Sequence, residues 1–191
     1  PADVTLRLAA LLHDVGKPNC KYTDGQGIDH FYGHPVAGAQ LANGMLRALK
    51  FDNATRKRVV KLVERHDAQI APQGRVIRRW LNRMGAEAFF QLLELKRADA
   101  MGQAPEKAAG LLAELTEIRA EAERAIAEGQ CFALKDLAVD GRDVIAAGAS
   151  PGPEVGRILN ALLERVLGGG AANERGALLG LVERMLTEDR R

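Results

Sequence analysis

His13 and Asp14 stand side by side after an apolar run, Leu6 to Leu12, and are followed at once by Gly16-Lys17-Pro18. Imidazole and carboxylate together are borderline-to-hard donors that suit a divalent transition metal. Glycine accepts a left-handed cap and proline cannot continue the ladder, so the pair is expected where a buried helix ends beside a turn. Helical neighbours point about 100° apart. His13 and Asp14 are therefore expected not to touch each other, but to reach one ion in the wedge between them. The bland alternative is a helix end with a capping Asp and a packed His. Further His and Asp residues add to the pattern. All four histidines, His13, His30, His34 and His66, precede position 67. His34 is expected to open one helix, His66 to close the next, and Asp99 to fall late on another. Antiparallel helices bring such ends to common rims, where a site for one or two divalent ions can form.

The elements that must position these residues read as helices throughout. Asp3 is expected to cap a helix to about Val15, and Asn19 to Gly33 reads as loop, with a turn signal at Asp24-Gly25-Gln26-Gly27. Helices follow over about 34–49, 53–67, 74–84, 86–101 and 105–128, each with apolar residues three and four apart. The 105–128 helix carries many Glu residues and reads as a solvated acidic face. An irregular stretch, 130–139, leads to a brief helix capped by Asp140. A wide apolar stripe runs from Pro153 to Leu167, and a last helix is expected to be capped by Asn173. The fold class expected is all-α, with nothing larger than a short ribbon of strand. A boundary is placed at 104/105, giving 1–104, which bears every His, and a smaller helical tail, 105–191.

Composition excludes several classes. The chain has 191 residues, 47% of them apolar and only 4% aromatic, which with abundant Ala and Leu favours helix packed on helix. No apolar run approaches the ~20 residues of a membrane span, and no signal peptide is visible. Cys20 and Cys131 make neither a disulfide framework nor a zinc pattern, so a reducing, cytoplasmic compartment is expected. The first residue is Pro1, which reads as the start of an excised piece. Net charge is +2 but unevenly spread. Between Ala54 and Arg83 lie Arg56, Lys57, Arg58, Lys61, Arg65, Arg75, Arg78, Arg79 and Arg83 against Glu64 and Asp67, an excess of seven. The rest of the chain must then carry −5. Such asymmetry suits a polyanion. The spacing of Ile77, Trp80, Leu81 and Met84 places them inward and leaves Arg75, Arg78, Arg79 and Arg83 to water.

His13-Asp14 with Gly16-Lys17, His34 in Phe31-Tyr32-Gly33-His34, His66, and Asp99 in Arg97-Ala98-Asp99 together resemble the HD superfamily of metal-dependent phosphohydrolases. Leu6 to Pro18 resembles more narrowly the HD region of bacterial CCA-adding tRNA nucleotidyltransferases and the related poly(A) polymerases. Asp140-Gly141-Arg142-Asp143 and Pro151-Gly152-Pro153-Glu154-Val155-Gly156 resemble that family's RNA-binding body. The resemblance spans most of the chain. It implies an HD helical bundle followed by a helical body. It implies His13, Asp14 and Asp99 as core metal ligands, with His34 and His66 completing a second-metal or phosphate-facing side. Asp14 and Lys17 are the implied catalytic residues, Lys17 contacting phosphate. A divalent ion lowers the pKa of bound water and polarises a phosphoryl oxygen, while Lys17 or a nearby Arg steadies the charge.

The implied substrates are phosphomonoesters, 2′-nucleotides and 2′,3′-cyclic phosphates near RNA 3′ ends. The implied partner is tRNA, held by Arg56, Lys57, Arg58, Arg75, Arg78 and Arg79. Two departures stand out. The superfamily's first metal-binding His lies upstream of its His-Asp pair, and no His precedes His13. The family's polymerase head, with a Gly-Ser motif and paired carboxylates, has no counterpart here, so the chain is not expected to add nucleotides itself. A catalytically silent body that holds tRNA for that head is the alternative. A free-standing nucleotide phosphohydrolase is a third reading, disfavoured by the tail.

Overall fold

The computed structural model describes residues 3–189; Pro1 lies outside the described residues. The architecture is all-α as expected. Helix α1 (Val4–Leu12) starts on Asp3, whose carboxylate accepts from the Leu6 N–H at 3.2 Å. It ends earlier than the sequence suggests: His13 is the C-cap, and residues 13–16 form a turn. Gly16 is right-handed, with φ −81°, and so is not a left-handed cap. Its need is space, since a Cβ there would lie 2.3 Å from the His34 carbonyl oxygen and 2.5 Å from the Gly38 nitrogen. Pro18 starts a short helix, α2 (Lys17–Cys20), rather than stopping one. It sits in the first turn, where a missing N–H costs nothing.

The expected loop contains a small antiparallel ribbon, β1 (Tyr22–Thr23) with β2 (Asp29–His30), in which Tyr22 pairs with His30. Then come α3 (His34–Ala48), α4 (Asn53–Arg65), α5 (Gly74–Met84), α6 (Ala86–Met101) and α7 (Pro105–Ala127). A 3₁₀ turn at Leu134–Asp136 precedes α8 (Gly141–Ala146), α9 (Pro153–Leu167) and α10 (Arg175–Asp189). Asp52 caps α4 by accepting from the Ala54 and Thr55 N–H groups, both at 2.9 Å. Among the described residues no helix is long and apolar enough to cross a membrane.

The chain divides into two compact units, one of residues up to 70 with 84–119, the other of 71–83 with 120–191. The boundary expected at 104/105 follows chain order, whereas these units interleave: α5 up to Arg83 groups with the tail. In the first unit, α4 packs against α1, α3 and α6. Ala9, Ala39 and Ala42 keep the helices close, and Leu46, Leu62, Phe89, Leu92 and Leu95 fill the centre. Fully burying each of the larger side chains is worth about 1.5–3 kcal/mol.

The core of the second unit is the α9 stripe, Ile158, Leu162, Leu163 and Leu167, with Val144, Leu178, Val182 and Leu186. Asp140 caps α8, and the Asp143 carboxylate accepts in return from the Asp140 N–H at 3.0 Å. Asp143 also takes a bidentate bond from Arg175 at 2.5 and 2.6 Å. Asn173 does not cap α10 with its side chain as expected. Its amide donates to the Asp136 carbonyl at 2.8 Å and accepts from the Ala138 N–H at 2.9 Å, which fixes the irregular stretch instead.

Candidate metal centre

His13, Asp14, His34, His66 and Asp99 belong to four different helix ends and the turn after α1, and the first unit gathers them. His13 and His66 are the C-caps of α1 and α4, and His34 opens α3. Each ring is oriented by its own backbone. His13 Nδ1 lies 2.8 Å from the Ala10 carbonyl oxygen, His34 Nδ1 2.8 Å from that of Phe31, and His66 Nδ1 2.7 Å from that of Val63. At the two C-caps these bonds satisfy carbonyls that a helix end leaves without a partner. A carbonyl only accepts, so every Nδ1 carries the proton, and in the neutral ring every Nε2 carries a lone pair.

Those lone pairs converge. His34 Nε2 lies 3.2 Å from His66 Nε2. Asp14 Oδ1 lies 3.5 Å from His34 Nε2 and 3.7 Å from His66 Nε2. His13 Nε2 is 3.3 Å from Asp14 Oδ2 and 3.5 Å from Asp99 Oδ1, and is buried with no hydrogen-bond partner. His13 and Asp14 thus approach each other, contrary to the helical-wedge expectation, because they lie in the turn after the helix. Asp14 turns one oxygen to His34 and His66 and the other to His13. His34 and His66 are each only 7% exposed.

The donor set fits a divalent cation. Asp14, His34 and His66 can each offer one atom to a common point. Donors about 2.1 Å from a tetrahedral ion stand roughly 3.4 Å apart, close to the separations here. Burial pushes the His66 imidazole below its ordinary value, helped by the neighbouring His13 and His34. Its bond to Val63 and the Asp14 charge oppose this without overcoming it. The neutral, ligating form is therefore favoured. Burial alone would raise the Asp14 carboxyl, but the Lys17 hydrogen bond and the charges of His13, Lys17 and His66 hold it below its ordinary value.

Lys17 Nζ is 2.6 Å from Asp14 Oδ2 and 5.7 Å from the centre of the Phe31 ring. His30 is not part of the cluster. Its Nε2 bonds Asp24 at 2.8 Å on the hairpin. Sequence reasoning missed Lys96, whose ammonium donates to the His66 carbonyl at 2.8 Å and the Ala68 carbonyl at 3.0 Å, tying down the end of α4. Burial lowers its pKa, while Asp67, Asp99 and Glu114 work the other way. A signal was present: a lysine in the otherwise apolar Leu92-Leu93-Lys96-Ala100 pattern of α6.

The basic residues are less uniform than their spacing suggests. Lys57 is exposed, Arg56 bonds Asn53 at 2.8 Å, and Arg58 pairs with Glu87 at 2.9 Å. In the second unit Arg75 and Arg79 are exposed, Arg79 standing 3.9 Å from Glu164. Arg78 is not left to water. It is half-buried and donates to the Gln130 side chain at 3.0 Å and the Leu167 carbonyl at 3.4 Å. Trp80 is likewise only half-buried.

Residues 36–182 match the family model described as tRNA nucleotidyltransferase domain 2. The chain is 37% identical over 170 residues to an A-adding tRNA nucleotidyltransferase of Deinococcus radiodurans, covering 87% of this chain and 39% of that protein. It is 34% identical over 165 residues to a CC-adding tRNA nucleotidyltransferase of Thermus thermophilus, covering 85% of this chain and 36% of the relative. A 56-residue stretch is 43% identical to a CCA-adding enzyme of Lacticaseibacillus paracasei, covering 29% of this chain and 14% of that protein. The chain thus spans well under half the length of these relatives. No solved structure matches it. The chain belongs to the tRNA nucleotidyltransferase domain 2 family.

Proposed function

We propose that the chain is the body of a tRNA nucleotidyltransferase family protein, acting in the cytoplasm, and that its first unit is an HD-type, metal-dependent phosphohydrolase working near RNA 3′ ends. The observation that carries this reading is the convergence of the Nε2 lone pairs of His34 and His66 with an Asp14 oxygen, with no proton available to share among them. In this reading Asp14, His34 and His66 hold a divalent ion, with His13 beside it at the other Asp14 oxygen and Asp99 on the far side of His13 Nε2. A bound ion supplies Lewis acidity toward a phosphoryl oxygen and an activated water.

The chain's own groups do the rest. The three backbone-anchored imidazoles hold their rings without reorganisation. Lys17, part-exposed beside Asp14, is placed to receive a phosphoryl oxygen through a charge-assisted bond. Lys57, Arg58, Arg75 and Arg79 track the RNA backbone, with Arg56 in support; Arg78 acts by holding the second unit together. Phosphate contacts of this kind position a nucleic acid without reading its sequence. Nucleotide addition belongs to a polymerase head outside this chain.

A second reading, in which the body is catalytically silent and the cluster only ties helix ends together, is favoured by the close Lys17–Asp14 ion pair. Release of phosphate from a nucleoside 2′-phosphate and ring-opening of a 2′,3′-cyclic phosphate to the monoester, each with chelator and then with resupplied divalent metal, separate the two. The hydrolase reading requires hydrolysis that the chelator abolishes, metal restores and Asp14→Asn removes. No hydrolysis of either substrate under any metal supports the silent body.

A further inference from the structure

Both tyrosines of the chain, Tyr22 and Tyr32, lie on one short segment, although aromatic residues are scarce throughout. Tyr22 is the cross-strand partner of His30, and Tyr32 lies two residues beyond His30. The cross-strand pairing puts Tyr22 and His30 on one side of the ribbon, and Tyr32 lies in the turn that follows β2. The rings form a row. Tyr22 and His30 are stacked at 6.3 Å between centroids and 30° between planes, and His30 and Tyr32 at 5.3 Å and 6°. The outer rings nevertheless face solvent, Tyr22 being 60% and Tyr32 75% exposed.

The middle ring is locked. The Asp24 carboxylate accepts from His30 Nε2 at 2.8 Å, so His30 Nδ1 is left to accept from the Tyr32 hydroxyl at 3.2 Å. Asp24 also takes the Gln26 and Ile28 N–H groups at 2.9 and 3.0 Å. A core does not need such a row, and single exposed aromatics are usually scattered.

We propose that Tyr22, His30 and Tyr32 form a stacking platform for the bases of single-stranded RNA beside the His/Asp cluster. The inference rests on the reading that this chain handles RNA 3′ ends, and it names the form of that substrate: an unpaired strand rather than a free mononucleotide or a duplex. Position supports it. Tyr32 is two residues from His34, so their α-carbons lie within about 7 Å. The carbonyl of Phe31, the residue before Tyr32, holds His34 Nδ1, and the Phe31 ring lies under Lys17. A strand end at the cluster therefore has its preceding nucleotides close to the row. Charge does not oppose this. The hairpin's two acids are both engaged, Asp24 as above and Asp29 by Lys21 at 2.8 Å and Thr23 at 2.6 Å. Aromatic rings accept any base, because every base has a π-face.

The test is the anisotropy of a short, labelled single-stranded RNA titrated with the chain in low salt and chelator. The wild type is compared with Tyr22→Leu/Tyr32→Leu and Tyr22→Phe/Tyr32→Phe, and an abasic strand of equal length serves as the phosphate-only probe. Loss of a stacked base weakens binding by about tenfold. The leucine pair should show that loss on RNA and none on the abasic strand, and the phenylalanine pair should bind nearly as the wild type does. Equal binding by the leucine pair and the wild type would overturn the proposal, as would equal losses on both strands. So would a wild type that binds the abasic strand as tightly as RNA. Metal-dependent hydrolysis of base-free glycerol phosphate, run on the same proteins, tests the hydrolase reading separately: its absence removes that activity and leaves the stacking result standing.

Discussion

His34 Nε2 and His66 Nε2 face each other across 3.2 Å, and each ring has already committed its Nδ1 proton to a backbone carbonyl. Two neutral imidazoles in this arrangement have no hydrogen between them to share. The contact needs a cation, either a proton on one ring or a metal ion. Burial disfavours the proton on His66.

That choice sets a pH dependence. His66 titrates below the ordinary histidine value near 6.5, so between its folded and unfolded pKa values the unfolded chain binds more protons. Its contribution to stability is therefore full above about pH 6.5 and is lost as pH falls through the folded value. Asp14, also lowered, contributes in the same sense from the carboxylate range downward. In metal-free buffer the urea midpoint should decline from pH 7.5 to pH 5.5, and His66→Gln should flatten that decline. An equal slope in the variant would show that His66 is not the titrating group.

Gly16→Ala should fail for a steric reason. The added methyl would meet the backbone of His34 and Gly38, not a flexible side-chain end. A loss of about 2–3 kcal/mol is expected, read as a lower denaturation midpoint. Metal affinity should fall with it, because the same clash drives the turn carrying Asp14 away from His34. Full stability in the variant would refute the close approach.

Lys96→Met should keep the bulk on α6 and remove the two bonds that hold the end of α4. Two carbonyls lose their donor, at about 1–3 kcal/mol for a buried unsatisfied group. Lys96→Arg should restore part of this. If Lys96→Met is as stable as the wild type, the lysine is not holding His66 in place.

The arginines of α5 should separate into two behaviours. Arg75→Ala/Arg79→Ala should weaken RNA binding and flatten its dependence on salt, by about 0.7 in log–log slope for each single-strand phosphate contact removed. Arg78→Ala should instead lower the stability of the second unit, since it leaves Gln130 and the Leu167 carbonyl without their donor. Identical effects from both variants would contradict the division.

Much of this was legible in residue types and spacing. The stripes of α3, α5 and α9 and the caps Asp3 and Asp140 locate most helices to within a residue or two, because 3.6-residue periodicity and capping chemistry are local. The five candidate ligands came from the family resemblance, with their expected places at or near helix ends in support. The sequence could not show that His13 and Asp14 leave the helix and meet in a turn, nor that Gly16 is small for the sake of α3. The second depends on a backbone eighteen or more residues away. Asn173 and Arg78 misled for the same reason: their partners, Ala138 and Leu167, are distant in sequence, and propensity alone assigns them a cap and a solvent face. Lys96 and the tyrosine row went unread, although each departs from pattern, a lysine on an apolar stripe and both tyrosines within eleven residues of each other.

The most direct measurement is calorimetric titration of the metal-stripped chain with Mn²⁺ at neutral pH, beside Asp14→Asn and His34→Ala. The account predicts saturable binding by the wild type, a loss of at least tenfold in affinity in each variant, and weakening as the pH is lowered through the histidine range. No saturable binding by the wild type, or equal binding by all three proteins, would contradict the claim that this cluster is a metal centre.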